Sequence, residues 1–230
     1  MNKLQKLLLV SCLVMALFLS ILIATRHTSE EVSVDYWKVL EHKTEVDKKK
    51  LFAEPESPEL MESVATDLWL VRKWDEAYPL LEKARNSYSL RKNENSTAFE
   101  TASLRLADLC VDKGDFSKAR DLYKEMSEYD SRYGADSSQR ARDLNNIGLC
   151  SFLFAKTKPS PEERTKLLAD ALMNLHQAQQ NFEHQHLEAQ LTSCLENQSA
   201  VLSLMGRRDE ARRLHSMVQN RLADAHAPNS

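Results

Sequence analysis

Gly114-Asp-Phe-Ser-Lys-Ala-Arg-Asp-Leu-Tyr-Lys-Glu-Met126 is the stretch on which the fold turns. Ala119, Leu122, Tyr123 and Met126 fall at i, i+3, i+4 and i+7, which is one face of an α-helix. Nearly the same wording recurs as Lys73-Trp-Asp-Glu-Ala-Tyr-Pro-Leu-Leu-Glu-Lys-Ala84 and as Gly206-Arg-Arg-Asp-Glu-Ala-Arg-Arg-Leu-His-Ser-Met-Val218. In the former, Ala77, Leu80, Leu81 and Ala84 keep those offsets. Upstream lie further apolar faces, Val64, Ala65 and Leu68 in one copy and Leu106, Ala107 and Cys110 in another, each separated from the alanine by a short polar turn. Each copy therefore reads as a helical hairpin. Such self-similarity marks a repeat solenoid, and a recurring unit suits a binding surface better than a catalytic constellation, which occurs once.

The turns account for their own residues. Gly114 and Gly206 stand where the first helix must stop, and glycine accepts the left-handed conformation there without a Cβ penalty. Asp75, Asp115 and Asp209 follow, placed to cap or favour the N-terminus of the second helix. Further helix starts are expected at Ser57-Pro58, at Thr97 with Glu100, at Asp136 with Gln139, and at Ser160-Pro161 with Glu163. A third, less regular copy runs through Ile147-Gly148 and resumes at Leu168, Ala171, Leu175 and Ala178, after an insertion over 156–166 that carries Pro159 and Pro161.

This spacing resembles the tetratricopeptide repeat (TPR), on the strength of Leu106, Ala107, Gly114, Phe116, Ala119 and Tyr123. The key alanines lie at 77, 119, 171 and 211, so most intervals are longer than the roughly 34 residues of the common repeat and look like the kinesin-light-chain type. The resemblance implies an all-α fold, an α-solenoid of about four hairpins over 58–225, followed by a tail over 226–230. In such solenoids the first helices line a concave groove. That implied geometry selects Glu62, Thr66 and Trp69, then Arg105, Asp108 and Asp112, then Arg142, Asn146 and Leu149, and finally Glu196 and Asn197 as a partner-binding face. Their mixture of acid, base, amide and aromatic suits an extended peptide or a partner helix. Some family members clamp a chaperone's C-terminal carboxylate with Lys and Asn; here Glu62 and Thr66 take those places, and Glu62 would repel it.

Leu7 to Ala24 is an almost unbroken apolar run of eighteen residues between Lys3 and Lys6 on one side and Arg26 and His27 on the other. At 1.5 Å per residue it spans roughly 27 Å, close to a bilayer's hydrocarbon core. Residues 1–27 are therefore expected to be a signal anchor with a transmembrane helix at about 7–24; cleavage and secretion is the alternative, but Leu22 sits where a signal peptidase wants a small residue before Ala24. The basic flank favours a cytoplasmic N-terminus with the repeats on the extracytoplasmic side. Residues 28–57 are rich in charge, bounded by Pro55 and Pro58, and read as a partly helical spacer.

Catalysis finds little support. The net charge is −3 with both signs interspersed, which argues against a nucleic-acid footprint. Cys110, Cys150 and Cys194 read as small buried hydrophobes, leaving the membrane run to Cys12. His184 and His186 lie two apart and so point away from each other on a helix, and with His176 they form no metal pair. No phosphate loop or serine elbow appears, and the sequons at Asn95 and Asn197 are read as unused. The expectation is a membrane-anchored, non-enzymatic scaffold without metal or cofactor, binding a partner protein through its groove; the alternative is a secreted or envelope enzyme, or a regulatory subunit, that uses the array as a frame. The last repeat has no separate polar capping helix, so either Arg207, Arg208, Arg212 and Arg213 solvate the end or a second subunit covers it, as in a homo-oligomer.

Overall fold

The computed structural model describes residues 38–90, 96–133, 137–157 and 159–225. The expected anchor at 7–24, the first part of the spacer, Asn95, Asp136 and the tail at 226–230 lie outside them. Among the described residues there are nine helices and no strand: α1 over 38–53, α2 (Pro58–Leu70), α3 (Trp74–Ser89), α4 (Ser96–Lys113), α5 (Phe116–Tyr133), α6 (Ser137–Lys156), α7 (Pro161–His184), α8 (Glu188–Leu204) and α9 (Arg208–Ala225). No helix among them is long and apolar enough to cross a membrane. The helices form two compact units that divide after Lys73, so α2 and α3, read from the sequence as one hairpin, belong to different units.

In the first unit the stretch read as a spacer carries a packing helix. Lys43 on α1 reaches Asp67 on α2 at 2.5 Å and Asp47 at 3.1 Å, and Ser63 of α2 donates to Asp47 at 3.2 Å. Leu40, Thr44 and Asp47 form the buried side of α1, and the Thr44 hydroxyl donates to the Leu40 carbonyl at 2.7 Å. Ser57 caps α2, its side chain accepting from the Leu60 amide at 3.3 Å ahead of Pro58.

The second unit stacks α3 to α9 in chain order, each against the next, and α6 also meets α8. Its core holds nearly all of the set that the periodicity selects: Ala77, Leu81 and Ala84 on α3, Leu106, Ala107 and Cys110 on α4, Ala119, Leu122, Tyr123 and Met126 on α5, and Leu168, Ala171, Leu175 and Ala178 on α7 are buried, while Leu80 on α3 is half-buried. Gly148 lets α6 approach α7 so closely that a Cβ there would sit 2.6 Å from Leu175 Cγ. On α8, the Cys194 thiol donates to the Leu175 carbonyl at 3.1 Å and Gln198 Nε2 donates to it at 3.2 Å, which ties α8 to α7. Arg85 of α3 bridges to Ser103 on α4 at 3.0 Å and to Glu125 on α5 at 2.5 Å.

Four turns close identically. The amides of Lys73, Asp115, Leu187 and Arg207 reach back five residues to the carbonyls of Leu68, Cys110, Phe182 and Leu202, at 2.8 to 2.9 Å. This is the Schellman closure, with a left-handed residue just past the helix. Gly114 and Gly206 take that place with φ of 79°, as their positions imply, but Arg72 and His186 take it as well, at 60° and 57°. Asp115 caps α5, accepting from the Lys118 amide at 3.1 Å. Asp75 and Asp209 fall instead within the first turns of α3 and α9, where they still favour the helix N-terminus.

One detail departs from the sequence reading. Thr97 is not a cap, because α4 already begins at Ser96. The helix start expected at Ser160-Pro161 is met within the insertion: Ser160 accepts from the Glu163 amide at 3.2 Å, Pro161 opens α7, and residues 161–166 extend that helix to 24 residues. The charged, non-periodic Glu162 to Lys166 are all exposed, which is why they carry no helical stripe.

Candidate interaction groove

The first helices of the hairpins in the second unit are α4, α6 and α8. Besides packing on α5 and α7, α6 also meets α8, and Asn197 Nδ2 of α8 donates across to Asn145 Oδ1 of α6 at 3.2 Å. Next to that bridge lies a depression of about 390 Å³. Arg142, Asn145 and Asn146 of α6 form one wall, Ala189, Gln190 and Ser193 of α8 the other, and the Phe182 ring of α7 lies at the base. Arg142 is held by Gln139, whose Oε1 accepts from Nε at 3.2 Å and from Nη2 at 2.8 Å.

Of the residues selected from the sequence, Arg142 and Asn146 line this depression and Asn197 borders it through Asn145. Leu149, half-buried, lies one turn further along α6, and Glu196 is exposed on α8. Arg105, half-buried, shares a face of α4 with Asp108 and Asp112, both exposed. Asp108 accepts the phenolic hydrogen of Tyr123 from α5. Packing around its carboxyl raises Asp108 above the usual carboxylate range, Tyr123 opposes that rise, and nearby Asp112 adds to it. Glu62, Thr66 and Trp69 sit half-buried on α2 in the other compact unit, and the Thr66 hydroxyl donates to the Glu62 carbonyl at 2.7 Å.

Asn145, Phe182, Ala189, Gln190 and Ser193 were not among the sequence candidates. The signal that finds them is the pairing of α6 with α8, which brings the N-terminal half of α8 beside Arg142 and shifts the face by about one turn from Glu196. A second hollow, also about 390 Å³, forms where the inserted stretch meets the α8–α9 turn, between Pro159, Pro161, Arg164 and Leu168 on one side and Leu204 and Met205 on the other.

The polar side chains that line the groove, Arg142, Asn145, Asn146, Gln190 and Ser193, offer it hydrogen bonding and charge. Burial pushes the thiols of Cys110, Cys150 and Cys194 up to about 11, 12 and 11, so at neutral pH they are protonated and weakly nucleophilic. Among the described residues no three His, Cys, Asp or Glu side chains converge as a metal site.

No protein-family model matches the sequence, and no curated protein does. Among solved structures, the chain is similar to a Podosopora anserina protein described as a kinesin light chain with nearly identical TPR-like repeats, at a TM-score of 0.68 and 13% identity over 86% of this chain and 95% of that one. It is similar also to the apo form of RapI, at a TM-score of 0.64 and 14% identity over 79% of this chain and 62% of that one. At these identities the likeness is one of fold alone, an all-helical TPR-type arrangement.

Proposed function

We propose that this chain is a non-catalytic docking protein that holds an extended segment of a partner polypeptide along α4, α6 and α8. The observation that carries the reading is the depression between α6 and α8, where Arg142, Asn145, Asn146, Gln190 and Ser193 surround the Phe182 ring. Amide side chains offer donors and acceptors, which suits the alternating polar groups of a peptide backbone. The apolar run at 7–24 supports a location at a membrane, as a signal anchor with the repeats on the extracytoplasmic side. Protonated, buried thiols weigh against the enzyme alternative.

The test is co-purification after gentle membrane solubilisation, comparing the natural chain with Arg142→Glu and Asn146→Ala. A central contact is worth about 2 kcal/mol, roughly thirtyfold in affinity, so a stoichiometric partner should accompany the natural chain and fall away from both variants while their helical content is unchanged. A natural chain that emerges alone, or a partner retained equally by all three, contradicts the reading.

A further inference from the structure

Asp130 and Asp143 are the most anomalous residues of the described chain. Asp130 lies in the last turn of α5 and Asp143 in the first half of α6, and they are 3% and 0% exposed. Gln139 Nε2 donates to Asp143 Oδ1 at 3.4 Å. Neither oxygen of Asp130, nor Oδ2 of Asp143, accepts from any N–H or O–H group. Across the packed α5–α6 contact each carboxyl is instead the other's electrostatic neighbour. Two ionised carboxylates in that position would be buried and mutually repelling, with no counter-charge in contact among the described residues, an arrangement that sharing one proton relieves.

The surroundings favour the proton. Asp130 sits at the C-terminal end of α5, where the helix dipole opposes a negative charge. Glu100 of α4 faces Asp130 with like charge, and the Tyr123 phenol of α5 lies near Asp143. From α6, Arg140 acts on Asp130 and Arg142 on Asp143, each attracting, but Arg142 is engaged by Gln139. On the far side of α6, α7 contributes Leu167, Leu168 and Ala171 to the apolar core that contains Ala141 and Leu144. Burial, then the Asp130 charge, pushes Asp143 up to about 8, and burial raises Asp130 as well.

We infer that Asp130 and Asp143 share one proton and form a proton-dependent latch between α5 and α6, the joint between two successive hairpins of the solenoid. With the proton present, one carboxyl donates to the other and the joint is closed. Losing it leaves two buried charges that are relieved only by admitting water, which means parting the end of α5 from the start of α6. Because the folded pair binds a proton that the unfolded chain releases near pH 4, the latch is fully effective below that value and is lost as pH rises toward about 8. Within this window the folding constant falls by up to tenfold per pH unit. Asp143 adjoins Arg142, so any effect of the latch on partner binding rests on the proposed groove; the proton dependence does not.

The test uses the full chain in mild detergent, with Asp143→Asn and Asp130→Asn beside it. An asparagine amide donates permanently to the remaining carboxylate and imitates the closed latch. The natural chain should lose folding stability between pH 6 and pH 9 while both variants change at least tenfold less. Backbone amides around 127–147 should exchange faster at pH 9 in the natural chain only, after correction for intrinsic exchange. Should a variant fail to fold, infrared spectra of the natural chain serve instead: a protonated carboxylic acid band at pH 7 that disappears by pH 10. Equal pH courses in all three proteins, or no such band at pH 7, overturn the latch. Loss of partner in a groove variant would leave these readings untouched, so the two proposals fail separately.

Discussion

Replacing Gly148 by alanine tests the packing at the centre of the second unit. The added Cβ would lie 2.6 Å from Leu175 Cγ, 3.0 Å from its Cδ2 and 3.1 Å from the Ala171 carbonyl oxygen. Leu175 is itself fully buried, so it has no solvent to swing into, and the backbone oxygen moves only if α7 moves. Forcing a methyl into such a contact costs about 1 to 3 kcal/mol. Alanine is about 1 kcal/mol better than glycine inside a helix, which leaves a net loss of roughly 1 kcal/mol. Urea unfolding followed by circular dichroism should show a lower midpoint with an unchanged slope. Leu175→Ala alone should cost about 2 to 5 kcal/mol. In the double variant the obstructing branch is gone, so alanine at 148 should recover its helix preference, and the two changes should couple favourably by about 1 to 3 kcal/mol. Stabilisation of about 1 kcal/mol by Gly148→Ala in the natural background, with no coupling to Leu175, would refute the close approach of α6 and α7.

Three further outcomes follow from other parts of the chain. Gly114→Ala should cost about 1 kcal/mol through its backbone alone, since φ is 79° and nothing lies within 4 Å of the new Cβ, whereas Arg72→Gly at φ 60° should stabilise by a similar amount; thermal melts of the two variants should shift in opposite directions. The Lys50 hydrogen bond, with help from Lys43 and Ser63, holds Asp47 below the usual carboxylate range, so its contribution is present above about pH 4 and lost as pH falls through the folded value; Asp47→Asn should flatten the acid limb of the stability profile below pH 5. Alkaline carbonate washing of membranes should leave the full-length chain in the pellet, and its release into the supernatant would exclude a spanning helix at 7–24.

The hairpins were legible because their core is periodic: Ala119, Leu122, Tyr123 and Met126 are buried where the i, i+3, i+4, i+7 rule puts them. The glycine turns were legible for the same local reason. Arg72 and His186 were not, since a long side chain at a left-handed position leaves no compositional trace. Part of α1 was legible as helix, but the ion pair that docks it was hidden, because Lys43 and Asp67 are 24 positions apart and partners at that separation are not encoded in any local pattern. The start of α7 was legible from Ser160, Pro161 and Glu163, while its exposed first turns carry no apolar stripe to extend the repeat pattern. In the groove, Arg142 and Asn146 could be placed from the repeat register, while Gln190 and Ser193 depended on how far α8 slides along α6. The Asp130 and Asp143 pair was invisible for a simpler reason: single aspartates on charged helices read as surface, and only the packing of α5 on α6 buries them together.

The groove itself is best tested by position-specific photocrosslinking in native membranes. A photoreactive residue at Asn146, on the α6 side of the depression, is compared with one at His176, an exposed position on α7. A single defined adduct from position 146, absent from 176 and abolished by Arg142→Glu, is the outcome expected of a docking groove. Equal adducts from both positions, or none from 146 while the partner still co-purifies, would contradict it.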